Sequence, residues 1–583
     1  MRASKEQLFG LFASAFAIIA VIGAVRNFSA MPYWDTLGGY LHFFVRVSDG
    51  DWSAWWAQHN EHRIVLSRLF FWADLAWFQG TTISLIALNY LLLGLLALMF
   101  QRLWHIAGQG RAAYVGLFLI AWMWSWIQNQ NLTWAFQSQF FLVQLLPLCA
   151  FLALYKASGG PPRWFAIALA CGILSLGAMA NGVLALPLML LYTLCTPCSW
   201  RRRALLLVAT AAGTWLYFRG YVSGSEPITH VLARDPLGYA AYVLLYIGGP
   251  FYFFSGKGTF GLWFAGAAGL ALIATSAVIA LRALRAPQAS TLPLALLAFI
   301  LYLGGSAAGT AGGRLAYGVD HALASRYQTP ALCVWAAFAV LLAPTLTALA
   351  ARRPRALPAG LLVLLLLMLP QQLKALRNQD PWRFEVAVAG LALELGIEDA
   401  DQIRAMYPRA EEAVQLADAP VRRGLSVFGM APLKGARKDF DNRPIVAMTG
   451  APATACMATM SAATMAQGDA DYVRVEGLVA FATDGYGQPA LRRMTLTDAH
   501  GVVTGIVLAA PVSWAPASWA PAASATDAAG RQLAEKQLIA FKGYVRTIDL
   551  GRSVKLVDPA SGCQAPLATL AAAPAPPRRP DPE

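Results

Sequence analysis

Asp35, in the run MPYWDTLGGY, is a carboxylate beside two aromatic residues, Tyr33 and Trp34. At a membrane surface such a group is partly desolvated, which raises its proton affinity and suits it to take a proton from an attacking hydroxyl. The same residue would N-cap a helix starting at Thr36, and the residues alone leave both readings open. Downstream, DWSAWWAQHNEHRIVLSRLFFWADL sets His59, Glu61, His62 and Arg63 among tryptophans, the pattern of a helix lying at the membrane interface. On a helix, His59 shares a face with His62 and Arg63 while Glu61 points elsewhere. That is a poor arrangement for a compact metal site and a better one for phosphate, which the arginine fork fits; the plain alternative is a solvated polar face.

Other polar groups gather in the remaining loops. QNQNLTWAFQSQF offers Asn131, Trp134 and Gln137, amide and aromatic groups suited to sugar hydroxyls and ring faces, or to the watered end of a helix. Residues 219–260 carry Glu226, His230, Arg234, Asp235 and Lys257, and residues 311–328 carry Arg314, Asp320, His321, Ser325, Arg326 and Tyr327. An arginine placed just before an apolar run either snorkels to lipid headgroups or holds a phosphate. Cys195 and Cys198 form a CxxC with no second pair, so no redox or metal role is assigned to them.

The elements that position these loops are apolar. Of 583 residues, 57% are hydrophobic and 13% charged; soluble chains are about 25% charged, so a soluble protein is excluded. Charge-free runs long enough to cross a bilayer lie near 8–25, 81–100, 112–128, 136–155, 204–218, 261–281, 291–310, 327–349 and 356–370. The stretch 164–196 folds best as two short helices turning at Asn181 and Gly182, giving about eleven spans. The first run lacks a convincing cleavage site and is read as a membrane helix. Residues 239–254 are read as an interfacial or re-entrant helix, because a span there would put Arg282 and Arg285 outside. No span carries Asp, Glu, Lys or Arg in its interior, which argues against ion-coupled transport and directs attention to the outer surface.

Fourteen basic residues against one acid, Glu6, flank the spans on one side, so that face holds +13 of the net +14 and is cytoplasmic by the positive-inside rule. The rest of the chain is nearly neutral, and no nucleic-acid partner is needed to explain the charge. An odd number of spans places the C-terminus outside. The chain divides into a membrane domain 1–370, a helical segment 371–450, a β-sandwich-like domain 451–570 and a disordered tail 571–583. YVRVEGLVA, ALRRMTLTD, VVTGIVLA, QLIAFKGYVRT and SVKLVD read as strands, and the Ala/Pro/Ser-rich stretch 511–529 as a long loop. In an oxidising compartment Cys456 and Cys563, which bracket the sandwich, would staple its ends.

Three features together resemble the GT-C class of membrane glycosyltransferases, the clan of protein mannosyltransferases and the lipid A aminoarabinose transferase. They are Asp35 in YWD soon after the first span, the interfacial loop with HNEHR, and SRYQTP (325–330) opening a late span. The resemblance covers roughly residues 1–370, with a single Asp35 where the clan commonly has an acidic pair. It implies an all-α polytopic membrane protein of about eleven transmembrane helices with a C-terminal soluble α+β region ending in a small β-sandwich. It further implies an inverting transferase of the bacterial inner membrane with its C-terminal domain in the periplasm. Sugar would move from a polyprenyl-phosphate carrier to an envelope glycan, lipid or protein acceptor, with Asp35 catalytic. His59, Glu61, His62, Arg63, Trp134, Gln137, Arg314, Arg326 and Tyr327 would contact substrate. No cofactor is identified and no metal ligands are assigned, with a divalent metal left open; membrane lipids are the remaining partners. The rival readings are a lipid or polysaccharide flippase and a non-enzymatic protein of envelope assembly.

Overall fold

The computed structural model describes residues 2–224, 226–446, 456–481, 491–514, 538–550, 554–567, 573 and 574. It divides into two compact units. The first comprises Met1–Phe28, Ser53–Phe70 and Ile83–Arg377, the second Ser29–Trp52, Phe71–Thr82 and Asn378–Glu583. The division falls at Arg377/Asn378, and two pieces of the first loop group with the C-terminal region.

The first unit is a helical bundle. Among the described residues, seven helices are long and apolar enough to cross a membrane: Lys5–Asn27, Ile83–Ala107, Ala135–Ala157, Pro236–Phe254, Gly258–Arg285, Thr291–Tyr317 and Ala356–Leu376. An eighth is gained if Ser325–Leu341 and Ala343–Arg352, bent by 61°, form one crossing. The bend falls just before Pro344, which lacks an N–H and crowds the preceding turn. The bundle is that of a multi-pass membrane protein, but eleven spans are not reached on length. The run at 112–128 is a continuous helix only over Ala113–Met123, about 16 Å at 1.5 Å per residue against a hydrocarbon core of about 30 Å. The stretch 164–196 does form two short helices, Arg163–Ser175 and Ala180–Cys195.

Pro236–Phe254, expected to be interfacial or re-entrant, is one of the seven. It lies against Gly258–Arg285 with backbones in close approach: a Cβ on Gly248 would stand 1.8 Å from the Ala265 carbonyl oxygen, and one on Gly269 2.4 Å from that of Leu244. Small residues at such a crossing let apolar helices gain van der Waals contact where lipid supplies no hydrophobic drive.

In the second unit, Asp380–Leu395, Ala410–Arg422 and Ala436–Asn442 make a helical layer. The first-loop pieces are tied to it. The Trp34 N–H donates to the Met406 carbonyl (3.0 Å), Arg423 pairs with Asp49 at 2.6 Å, and the Ser426 hydroxyl donates to the Gly80 carbonyl at 2.6 Å. Tyr40 donates to the buried Asp74 carboxylate at 2.6 Å, and the Thr82 N–H caps the same oxygen at 3.2 Å.

Seven strands follow: β1 Cys456–Met465, β2 Tyr472–Phe481, β3 Arg492–Thr497, β4 Val503–Pro511, β5 Leu538–Arg546, β6 Val554–Asp558 and β7 Cys563–Leu567. They form one antiparallel sheet in the order β1-β2-β5-β4-β3-β6-β7. Its two ends pack together, and Cys456 and Cys563 are joined by a disulfide. The sheet is thus a nearly closed barrel and not the two-layered sandwich expected from the strand runs. β2 alternates buried and half-buried residues along its length, the period of a strand with one inward face, whereas β4 and β5 are buried almost throughout because Asp380–Leu395 covers their outer side. Lys542 of β5 fixes that helix to the sheet, reaching Glu385 at 2.9 Å and Glu476 at 3.1 Å. The loop expected at 511–529 lies outside the described residues from 515 onward, as does the tail 571–583 apart from 573 and 574.

One group in the helical layer sets a pH dependence. Glu394 is 3% exposed and one of its carboxylate oxygens has no hydrogen-bond partner. Burial pushes its pKa up to about 7, against the lowering pull of the Arg437 backbone N–H and of the Arg437 and Arg493 charges. A carboxyl whose folded pKa is raised contributes stability below its unfolded pKa near 4.5 that is lost as pH rises through 7. Glu394→Gln is therefore expected to stabilise the second unit by about 3 kcal/mol at pH 8 and to change little at pH 4.5, read as thermal unfolding of the full chain at both pH values.

Candidate functional site

The first-unit loops are built by hydrogen bonds between segments far apart in sequence. His59 and His62 exchange backbone bonds (2.8 and 2.9 Å) around Asn60, whose φ of 48° makes a tight turn. The helix expected through HNEHR is absent: helical structure resumes only at Val65–Trp77, so the shared face proposed for His59, His62 and Arg63 does not exist. Gln58 holds this turn to Val222, donating to its carbonyl (2.6 Å) and accepting from its N–H (3.0 Å).

Arg63 is a strut. It is 3% exposed, and its guanidinium donates to the carbonyls of Tyr217 (2.8 Å), Trp56 (2.5 Å) and Arg219 (2.8 Å) while lying over the Trp56 and Tyr217 rings. Committed to three backbone acceptors, it is not presented to a phosphate, which corrects the substrate-binding role expected of it. Removing it leaves buried carbonyls unmet, each costing roughly 1–3 kcal/mol. Arg63→Met is accordingly expected to destabilise the first unit by about 3 kcal/mol without changing the affinity for substrate, measured by thermal unfolding beside a substrate titration.

Parts of the two polar stretches singled out in the sequence, QNQNLTWAFQSQF (128–140) and the end of 311–328, bond to one another. Ser325 Oγ donates to the Ile127 carbonyl (2.8 Å) and lies 2.7 Å from Asn129 Oδ1; Asn131 Nδ2 donates to Thr329 Oγ1 (2.7 Å), and Thr329 in turn to Gln128 Oε1 (2.6 Å). Arg326 is clamped on both backbone sides: its N–H donates to Gln130 Oε1 (3.2 Å) and its carbonyl accepts from Asn131 Nδ2 (2.8 Å). From the membrane bundle, the buried Asn89 of Ile83–Ala107 donates to the carbonyls of Asn131 (3.2 Å) and Trp134 (3.1 Å). The polar residues of this region thus set the position of the Arg326 backbone.

Its side chain enters a cationic and aromatic cluster. Arg326 Nη2 lies 3.3 Å from His321 Nε2, and His321 Nδ1 lies 3.4 Å from the Tyr242 hydroxyl. A guanidinium only donates, so Nε2 accepts, and the imidazole proton resides on Nδ1, facing Tyr242. Burial, then the charges of Arg326 and Arg314, hold the His321 pKa below the ordinary histidine value, which keeps the ring neutral at pH 7. The Tyr317 and Tyr327 rings flank His321 at 5.5 and 5.8 Å, and Tyr327 packs on Tyr246. Arg314 pairs with Glu61 at 3.1 Å, both half-buried, and stands over Tyr317.

Of the expected site residues, the structure brings Arg326 and Tyr327 together at His321, with Arg314 beside them and Glu61 paired to Arg314. His59, Phe136 and Trp134 form a second aromatic group, with His59 5.2 Å from Phe136 and Trp134 stacked on Phe136 at 5.9 Å. Gln137 is fully buried, and neither its Oε1 nor its Nε2 has a hydrogen-bond partner among the described residues. Asp35 belongs to the second unit. It occupies the N-cap position of the π-helical turn Thr36–His42, but its side chain makes no capping bond there. Capping alone therefore does not account for it.

The sequence reading missed His321 as the centre of the cluster and Tyr242 as its partner. No spacing links residue 242 to 321 or 326, and the only signal was the gathering of ionisable residues in 314–327. Among the described residues, no group of three or more His, Cys, Asp or Glu is placed to hold a metal ion. No known protein family matches the chain, and neither a curated protein nor a solved structure similar to it was found.

Proposed function

We propose that this chain is an integral membrane glycosyltransferase that moves a sugar from a polyprenyl-phosphate donor to a cell-envelope acceptor at the periplasmic face of a bacterial inner membrane. The observation that carries the reading is the cluster of Arg326, His321 and Arg314, built on a loop that leads directly into an apolar helix. A lipid phosphate meets its protein at such a level, and two guanidiniums beside a neutral imidazole and tyrosine hydroxyls form a donor-rich cluster suited to its oxygens. In this reading Pro236–Phe254 dips into the outer face without crossing, the shorter apolar helices are counted among about eleven crossings, and the C-terminal unit lies outside.

The resemblance implies two roles on residues of different units, Asp35 of the second and Arg326 of the first, and each is proposed on its own. Asp35 accepts the proton of the acceptor hydroxyl as that oxygen attacks the anomeric carbon, the bond to the carrier phosphate breaks, and the configuration inverts. Arg326 stabilises the negative charge that gathers on the departing phosphate, and Arg314, oriented by Glu61, adds to the field. Arg326→Ala is expected to lower the rate of sugar release from the donor by about a hundredfold, with part of the loss recovered at higher donor concentration. Unchanged release by the folded variant would remove the arginine from the phosphate site.

A further inference from the structure

The second unit holds a cleft that the transfer reading does not use. It encloses about 340 Å³ between β3, the turn joining β6 to β7, and the segment that follows the helix Ala436–Asn442. Its polar lining is Arg492, Arg493, Thr495, Asp439 and Asp558. These charges are already matched: Arg493 Nη2 pairs with Asp439 at 2.9 Å and Arg492 Nη1 with Asp558 at 3.4 Å. Asp558, 1% exposed, is fixed further by the Ser561 hydroxyl (2.8 Å) and the Ala560 N–H (3.2 Å). Arg493 is fixed by the Lys434 carbonyl (2.9 Å). The remaining walls are short and apolar, contributed by Pro444, Val446, Val503, Pro559 and Ala560.

We infer that this cleft is a binding site for a neutral saccharide. Among the described residues of the lining, two arginines and two aspartates cancel, which favours an uncharged ligand. The partly exposed Arg493–Asp439 pair presents a donor and an acceptor side by side at fixed positions, which suits a ligand whose neighbouring hydroxyls donate and accept together, and the Arg492 pair, with Asp558 buried, forms the floor. Proline, valine and alanine walls lie flat against the C–H face of a pyranose ring. The volume is at the small end of ligand pockets, about 300–1,000 Å³, which admits a short saccharide and no large chain. The inference stands apart from the transfer reading: a flippase or a scaffold carrying this unit would bind saccharide as well.

The test uses the full chain in nanodiscs and saturation-transfer difference NMR with glucose, galactose, mannose, N-acetylglucosamine, cellobiose and lactose as neutral probes and galacturonate as an anionic one. At least one neutral probe is expected to receive saturation. Two variants place the contact. Arg493→Gln removes one ion pair, and Ala560→Trp, at an exposed turn position, fills the cleft without removing a buried group. Each is expected to weaken the signal-giving probe at least about tenfold, with Ala560→Trp keeping the wild-type unfolding temperature. The inference is overturned if no neutral probe binds, if galacturonate alone binds, or if Ala560→Trp binds the neutral probe as wild type does. Sugar release from a polyprenyl-phosphate donor, measured on the same samples, reports separately on the transfer reading.

Discussion

Cys456→Ser is expected to lower the stability of the second unit by about 4–5 kcal/mol. The bond it removes joins residues 107 apart in sequence, and closing so long a loop restricts the unfolded chain by about that amount in the chain-entropy treatment. It also joins the first and last strands of the sheet order, each of which pairs within the sheet with a single neighbour, β2 or β6. Thermal unfolding of the full chain in nanodiscs checks the prediction, and reduced wild type should show the same shift as the variant. Equal stability of oxidised wild type and variant would show that the barrel holds its ends without the bond. Trapping free thiols in intact cells adds a reading of compartment, because a periplasmic unit should have these two cysteines blocked and the bundle cysteines reactive after denaturation.

Asp35→Asn is expected to reduce sugar transfer by about a thousandfold, within the roughly 10²- to 10⁴-fold that a general base contributes. The amide keeps the size of the side chain and cannot take the proton. The residue is half-buried next to the exposed Trp34 and an aromatic pair of Tyr33 with Trp382. Its charge is felt by Tyr407, whose pKa burial and the acids Glu412 and Asp35 push upward. The side chain does not cap its helix, so no N-cap bond is lost with the charge. A variant that unfolds like wild type but transfers no sugar supports the base role, and one with full activity removes Asp35 from it.

The parts legible in the sequence were those encoded by local pattern. Apolar runs marked the long helices because lipid exposure demands about 20 apolar residues in succession, and alternation marked β2 through β6 at YVRVEGLVA and its successors. β1 (CMATMSAATM) and β7 (CQAPL) escaped because they carry few β-branched or aromatic residues. Closure into a barrel was hidden for a related reason: a sandwich and a barrel share the same alternation, and only the pairing of strands distinguishes them. The split of the first loop was illegible too, since it rests on contacts such as Arg423 with Asp49 and Ser426 with Gly80, separated by hundreds of residues. At the candidate site the ionisable residues were readable, but their roles were not. Arg63 looked like a phosphate ligand by type and is a strut by its partners, while His321 looked incidental and stands between Arg326 and Tyr242.

The most direct test of the central claim is the fate of the donor. Purified full chain in nanodiscs is given a polyprenyl-phosphate sugar labelled in the sugar, with envelope extract as acceptor, and label leaving the lipid is measured together with lipid movement between leaflets. Transfer of label to acceptor, with the carrier phosphate left in the membrane, is the predicted result. Movement of intact donor between leaflets, with no label released, would contradict it and assign the chain to lipid transport.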